Sequence, residues 1–156
     1  AQPDKMLVKM PLESAQMLCT AHRELDGDSE WVQRNKLYKT AYKNHPCTLW
    51  ARECSANYRW LYEHFLELGE EYTYRYGKEH KSVREVILHL PEIDLPRIGL
   101  TPFAQAMPDE LKGADAIKSY RDFYHKDKAT FAEWTYRDRP HWWSDEEASY
   151  DSRITR

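Results

Sequence analysis

The chain has 156 residues, 31% of them charged and 41% hydrophobic, and a net charge of -3. That balance fits one globular domain, excludes disorder, and leaves no apolar run near the ~20 residues of a membrane-spanning helix. A nucleic-acid binder that works with its whole surface is also excluded, because the overall basic excess is missing; any such contact must come from a local patch.

Lys5 and Lys9 are followed by no apolar run, so no signal peptide is expected. Leu7, Met10, Ser14, Leu18, Ala21 and Leu25 recur at spacings of three and four, which predicts a first helix. Pro11 should kink that helix or open its main part, and Gly27 in "LDGDSE" should stop it. "WVQRNKLYKTAYKN" follows without a clean period. It carries Arg34, Lys36, Lys39 and Lys43 and reads as a basic loop with at most one helical turn.

From Trp50 the positions Cys54, Asn57, Leu61, Phe65, Leu68 and Tyr72 continue a helical stripe. Asn44 or His45 can cap, Pro46 suits a first turn, and Gly77 closes. The expectation is a single central helix from Pro46 to Tyr76, about 45 Å long, with a possible bend at Gly69. Off this stripe, Trp60, Tyr62, Tyr74 and Tyr76 should pack on other helices or stay partly exposed. "KSVREVILHLPEI" opens with the capping box Ser82-x-x-Glu85, turns Val83, Val86, Ile87 and Leu90 to one face, and should stop at Pro91. Residues 91–113 hold four prolines and two glycines and read as an ordered loop draped over the helices. A last helix is expected over 114–136, with Ile117, Tyr120, Tyr124, Phe131 and Trp134 along one side and a polar tail from about 144. The class is all-α: a single compact domain over 1–156, built as a bundle of three to four helices around one long helix.

Three cysteines, Cys19, Cys47 and Cys54, lack C-x-x-C spacing, so neither a disulfide framework nor a zinc finger is expected, and a reducing cytoplasm is the natural home. Buried thiols are the expected form. H-E-x-x-H and paired E-x-x-H motifs are absent. Asp122-x-x-His125 is a weak approximation and Glu85 with His89 a weaker one, so no metal is expected. Phosphate- and dinucleotide-binding loops and the nucleophile elbow are also absent, and no cofactor is expected.

What remains is "TAHRELDG" at the end of the first helix. Arg23 and Glu24 are neighbours and point in different directions, while Gln16 and Thr20 line one face. Asn57 interrupts an apolar stripe; it must be hydrogen-bonded, anchoring the loop or the first helix, or else contact a substrate. In "RPHWW", Trp142 and Trp143 cannot both face one core from an extended segment; either the tail folds so that both cover the core, or one caps it and the other is available for stacking on a base or a ring.

Four segments in order, "AQMLCTAHREL", "YKNHPCTLW" leading into a long helix, "MPDELKG" and "RPHWW", resemble the small all-α pyrimidine-dimer DNA glycosylase/AP lyase family of phage type, which excises UV photoproducts. The resemblance implies that an N-terminal α-amine attacks the sugar C1′, that a helix-end glutamate supports the cationic intermediate, and that an imine forms before β-elimination nicks the strand. Glu24 matches the glutamate and Arg23 a phosphate-binding arginine; Trp142 and Trp143 match an aromatic tail near the lesion. Ala1 would carry the amine where the family has threonine. Duplex DNA is then the expected partner, through Arg23, Arg34, Lys36, Lys39 and Lys43, in the host cytoplasm if the chain is phage-encoded. Two other readings stay open: a non-catalytic helical module binding nucleic acid or protein, and a small-molecule enzyme with Gln16, Arg23, His45 and Asn57 lining a pocket.

Overall fold

The structure, a computed structural model, describes residues 2–86, 90 and 93–151. It is all-α, with no strand among the described residues. Two compact units form: Leu7–Phe103, and Ala1–Met6 with Ala104–Arg156. Ile87, His89 and Pro91 lie outside the described residues, as do Ala1 and the end of the tail. No described helix is long and apolar enough to cross a membrane.

α1 spans Asp4–Asp26 with Pro11 inside it. The helix therefore neither starts nor stops at the proline, which removes one backbone donor and leaves the Leu7 carbonyl without its helical partner. Gly27 follows at φ +60°, the left-handed position that ends helices at least cost. Leu7, Ser14, Leu18 and Ala21 are buried as the spacing requires, whereas Leu25 is exposed.

α2, Glu30–Arg34, is the single turn expected in the basic stretch, capped by the Ser29 hydroxyl on the Val32 N–H. It ends in a Schellman arrangement. The Lys36 N–H donates to the Gln33 carbonyl, the Leu37 N–H donates to the Val32 carbonyl, and Val32 and Leu37 are both buried. Lys36 takes the left-handed position there, at φ +52°.

The continuous helix expected over Pro46–Tyr76 is two helices: α3, Pro46–Ala51, and α4, Ser55–Tyr76. The break falls at Arg52–Cys54, with Cys54 fully extended. Asn57 explains it. Its Nδ2 donates to the Trp50 carbonyl at 2.9 Å and to Thr101 Oγ1 at 2.7 Å, and its Oδ1 accepts from the Thr101 N–H at 3.0 Å. A helix C-terminus leaves carbonyls open, and this amide fills one while fastening the proline-rich loop. Cys47 consequently sits on α3 and Cys54 outside it, at the N-cap of α4. All three cysteines are free; Cys19 and Cys54 are buried and Cys47 half-buried.

The loop drapes over the break, as its composition suggests. Trp50 Nε1 donates to the Thr101 carbonyl, Ser55 N–H to the Pro96 carbonyl, and Phe103 packs on Trp50 and Trp60. Trp60 is thus an aromatic that packs, while Tyr74 stays exposed. Gly77 closes α4 at φ +64°. Gly69 makes room for a neighbour: a Cβ there would lie 2.7 Å from Val83 Cγ2. Val83 belongs to α5, Lys81–Val86, whose first turn is capped by His80 Nδ1 accepting from the Ser82 N–H. The expected Ser82 cap is therefore displaced; Ser82 is buried and its hydroxyl accepts from Tyr38.

In the second unit, α6 spans Ala116–Asp127 behind an Asp115 cap. The helix expected to reach 136 stops at Lys128, and a 3-10 turn follows at Ala129–Phe131. Asp4 accounts for the change. Its N–H donates to the Glu133 carbonyl and its carboxylate accepts from the Thr135 N–H, so residues 133–135 bond to the start of α1 instead of continuing α6. Ile117, assigned to the buried side, is exposed. The polar tail opens with α7, Asp145–Asp151.

Candidate functional site

Gln16, Thr20 and Glu24 are four residues apart along α1 and share one face. Thr20 is buried under residues 36–45. Its Oγ1 accepts from the Ala41 N–H at 3.1 Å and donates to the Ala41 carbonyl at 3.4 Å. One turn below lies Gln16, half-buried. One turn above, Glu24 reaches open surface, with Oε2 3.8 Å from Lys43 Nζ.

Arg23 points to the other side of the same loop. Nε donates to the Tyr38 carbonyl at 2.7 Å, Nη2 to the Leu37 carbonyl at 2.8 Å and Nη1 to Asp28 at 2.8 Å. Two of its five N–H groups therefore hold the loop to α1, a third pairs with Asp28, and the other two are those that the sequence reading assigns to a phosphate. The sequence reading gives Arg23 only that last task; the loop it clamps was not legible, because backbone carbonyls 14 and 15 residues away leave no side-chain signature.

From Trp31 to Arg52 the chain carries five cations and no carboxylate. Arg34 pairs with Glu30, Lys43 lies near Glu24, and the Arg52 side chain donates to the Thr48 carbonyl. Lys36 and Lys39 are exposed and meet no carboxylate among the described residues. His45 is exposed and works as the cap of α3, its Nδ1 accepting from the Cys47 N–H. Asn57 is fully buried with both ends of its amide bonded to protein.

Sequence reasoning missed the group behind Glu24. His22 is buried on α1, with Nε2 2.8 Å from the Tyr58 hydroxyl, Nδ1 3.9 Å from Asp26, and Trp31 packed on its ring. Burial holds the imidazole below its ordinary pKa, with Asp26 opposing. Burial also raises Tyr58, and it lifts the Cys19 thiol to about 11 against the Tyr38 backbone and Arg23. The cluster is uncharged at neutral pH and forms a stiff backing for the helix end.

In the other unit, Trp142 and Trp143 both pack on His125 of α6, with centroids 5.8 and 4.7 Å from it. Both fold over the same helix, one of the two arrangements expected, because residues 140–143 form a turn rather than an extended segment, closed by the Trp143 N–H on the Pro140 carbonyl. Arg121 lies over Trp142, and Trp134 meets Trp143. His125 Nε2 accepts from the Ser144 N–H, and Asp122 pairs with Lys118, so this weak metal pattern is occupied by protein contacts.

The family model for pyrimidine dimer DNA glycosylase matches residues 3–85. The chain belongs to that family. The match takes in α1, the basic loop, α3 and α4, and so Arg23, Glu24 and the lysines; "MPDELKG" and "RPHWW" lie beyond it. Searches of curated proteins and of solved structures return no match. Membership makes this a DNA repair glycosylase family chain with DNA as its substrate at the level of the family.

Proposed function

We propose that this chain excises damaged pyrimidines from duplex DNA and nicks the abasic strand, with Glu24 as the carboxylate at the reacting sugar. One observation carries the reading. Glu24 stands at the open C-terminal end of a 23-residue helix, beside the only long stretch of this sequence that holds cations without acids. The C-terminus of a helix carries about half a negative charge. A carboxylate added there favours positive charge, which is what develops on a sugar as its base leaves. The lysines of residues 36–43 supply the phosphate contacts that hold a strand in place.

The nucleophile required is a neutral amine. Its nitrogen bonds to C1′, the bond from C1′ to the base breaks, and the base leaves with the electron pair and a proton. The sugar ring opens to a protonated imine, and loss of a C2′ proton expels the 3′ phosphate. An α-amine, with a pKa of about 7.7–8.0, is partly neutral at pH 7. The resemblance assigns this amine to Ala1, outside the described residues. The resemblance assigns Trp142 and Trp143 to the family's aromatic tail.

Single-turnover cleavage of cyclobutane-dimer and abasic-site duplexes, with borohydride trapping, tests the reading. Wild type should cleave and be trapped. Glu24→Gln should bind DNA like wild type and lose turnover, by a factor of ~100 or more if one preorganised charge is removed. If wild type leaves both duplexes intact and gives no trapped species, the catalytic reading is wrong and a non-catalytic DNA-binding module replaces it.

A further inference from the structure

Tyr42 is the most exposed large hydrophobic residue among the described residues, at 82%, and it sits in the basic loop at φ +46°. An aromatic residue in the left-handed region is uncommon; such strain persists only where the surrounding structure fixes the backbone. Here it is fixed from both sides. Ala41 is bonded through both its N–H and its carbonyl to Thr20. On the other side the Tyr42 carbonyl accepts from the His45 N–H at 2.9 Å, and His45 caps α3. A glycine would hold this turn with less strain. Folding therefore gives no reason for the ring, which leaves about four-fifths of the residue in water and lies between Lys39 and Lys43.

We propose that Tyr42 is a stacking platform for a base unstacked from the duplex, with Lys39 and Lys43 holding the phosphates on either side. The inference rests on the glycosylase reading and deepens it. An enzyme that works at a nucleotide inside a duplex must break base stacking, and a ring that replaces the lost stack offsets that loss. Aromatic stacking is sequence-tolerant and compatible with a ring fixed only by its backbone. Lys43 also approaches Glu24, so the ring is one residue from a side chain that reaches the proposed catalytic carboxylate. The hydroxyl is not required; the face of the ring is.

Tyr42→Phe and Tyr42→Gly separate the ring from the rest. The probe is a duplex with 2-aminopurine beside an abasic site, read by fluorescence and by binding, next to an undamaged duplex of the same sequence. Tyr42→Phe should match wild type. Tyr42→Gly should lose the fluorescence change and bind the abasic duplex roughly tenfold more weakly, as expected for one lost base–aromatic stack. It should keep wild-type affinity for undamaged DNA and should not melt earlier, because the glycine relieves the left-handed backbone. If Tyr42→Gly gives the wild-type signal and affinity, or weakens both duplexes equally, the stacking role is overturned. Trapping is scored separately. A wild-type protein that stacks the probe but forms no trapped imine keeps this inference and loses the catalytic one.

Discussion

Asn57 has no exposed surface, so each of its hydrogen bonds must be made inside the protein. Replacing it with leucine leaves the Thr101 N–H unpaired and takes one donor from the Trp50 carbonyl, which keeps the Glu53 N–H, and a buried unpaired group costs about 1–3 kcal/mol. Asn57→Leu should therefore lower the melting temperature with a stability loss of ~2 kcal/mol or more, and an unchanged melt would show that the amide anchors nothing. His22 makes a different kind of statement. Its imidazole is neutral in the fold because burial outweighs the pull of Asp26. The unfolded chain takes up a proton near pH 6.5 that the folded state binds only at lower pH, so stability falls as pH drops below about 6.5 and levels off once the folded pKa is passed. Burial shifts His64 the same way, so wild type alone mixes both groups. The difference between wild type and His22→Gln isolates one. That difference should shrink from pH 7 to pH 5, and a difference independent of pH would assign His22 a packing role alone.

Many of the helix-scale features that rest on side-chain period or on glycine were legible. Leu61, Phe65 and Leu68 are buried on the stripe their spacing marks, and Gly27 and Gly77 end α1 and α4 in the left-handed conformation. Breaks made by one polar side chain were not legible. The interruption at Arg52–Cys54 depends on Asn57 bonding seven residues back and 44 residues ahead, and the early end of α6 depends on Asp4, more than 100 residues away. Neither partner can be read from a local window. The site divides in the same way: the cations and Glu24 stand out in the sequence, while the clamp made by Arg23 and the backing made by His22 and Tyr58 need the fold. Gly69 shows how a local rule misleads. Alanine favours a helix over glycine by about 1 kcal/mol, yet a Cβ at this position would meet the stiff, β-branched Val83 at 2.7 Å. Overpacking of this kind costs about 1–3 kcal/mol. Gly69→Ala should thus destabilise the protein, and Gly69→Ala with Val83→Ala should lose less than the two single changes added together. Simple additivity in that cycle would mean that α4 and α5 do not meet at this pair.

At the scale of the whole molecule the charge is distributed against its own sum. The chain is acidic by 3 charges, while the 22 positions from Trp31 to Arg52 contribute five cations and no carboxylate. A uniformly acidic surface repels DNA, so binding must be short-ranged and must depend on the few cations that reach phosphate directly; salt screening then acts on those contacts. Each neutralised phosphate contributes about -0.9 to the slope of log K against log salt. If Arg34, Lys36, Lys39 and Lys43 make three or four such contacts, the slope should be roughly -3 to -4. Lys36 and Lys39 are the two with no carboxylate beside them among the described residues, so they should carry the largest share. Reversing both to glutamate should flatten the slope by about 2 and weaken undamaged and damaged duplexes alike, because a phosphate contact positions the strand without reading its bases. The melting temperature should hardly move, since both side chains are exposed and meet no carboxylate among the described residues. Titrations of a short duplex at several salt concentrations decide it. A slope unchanged by the double reversal would move the DNA footprint off this loop, and with it the phosphate contacts assigned here to Lys39 and Lys43.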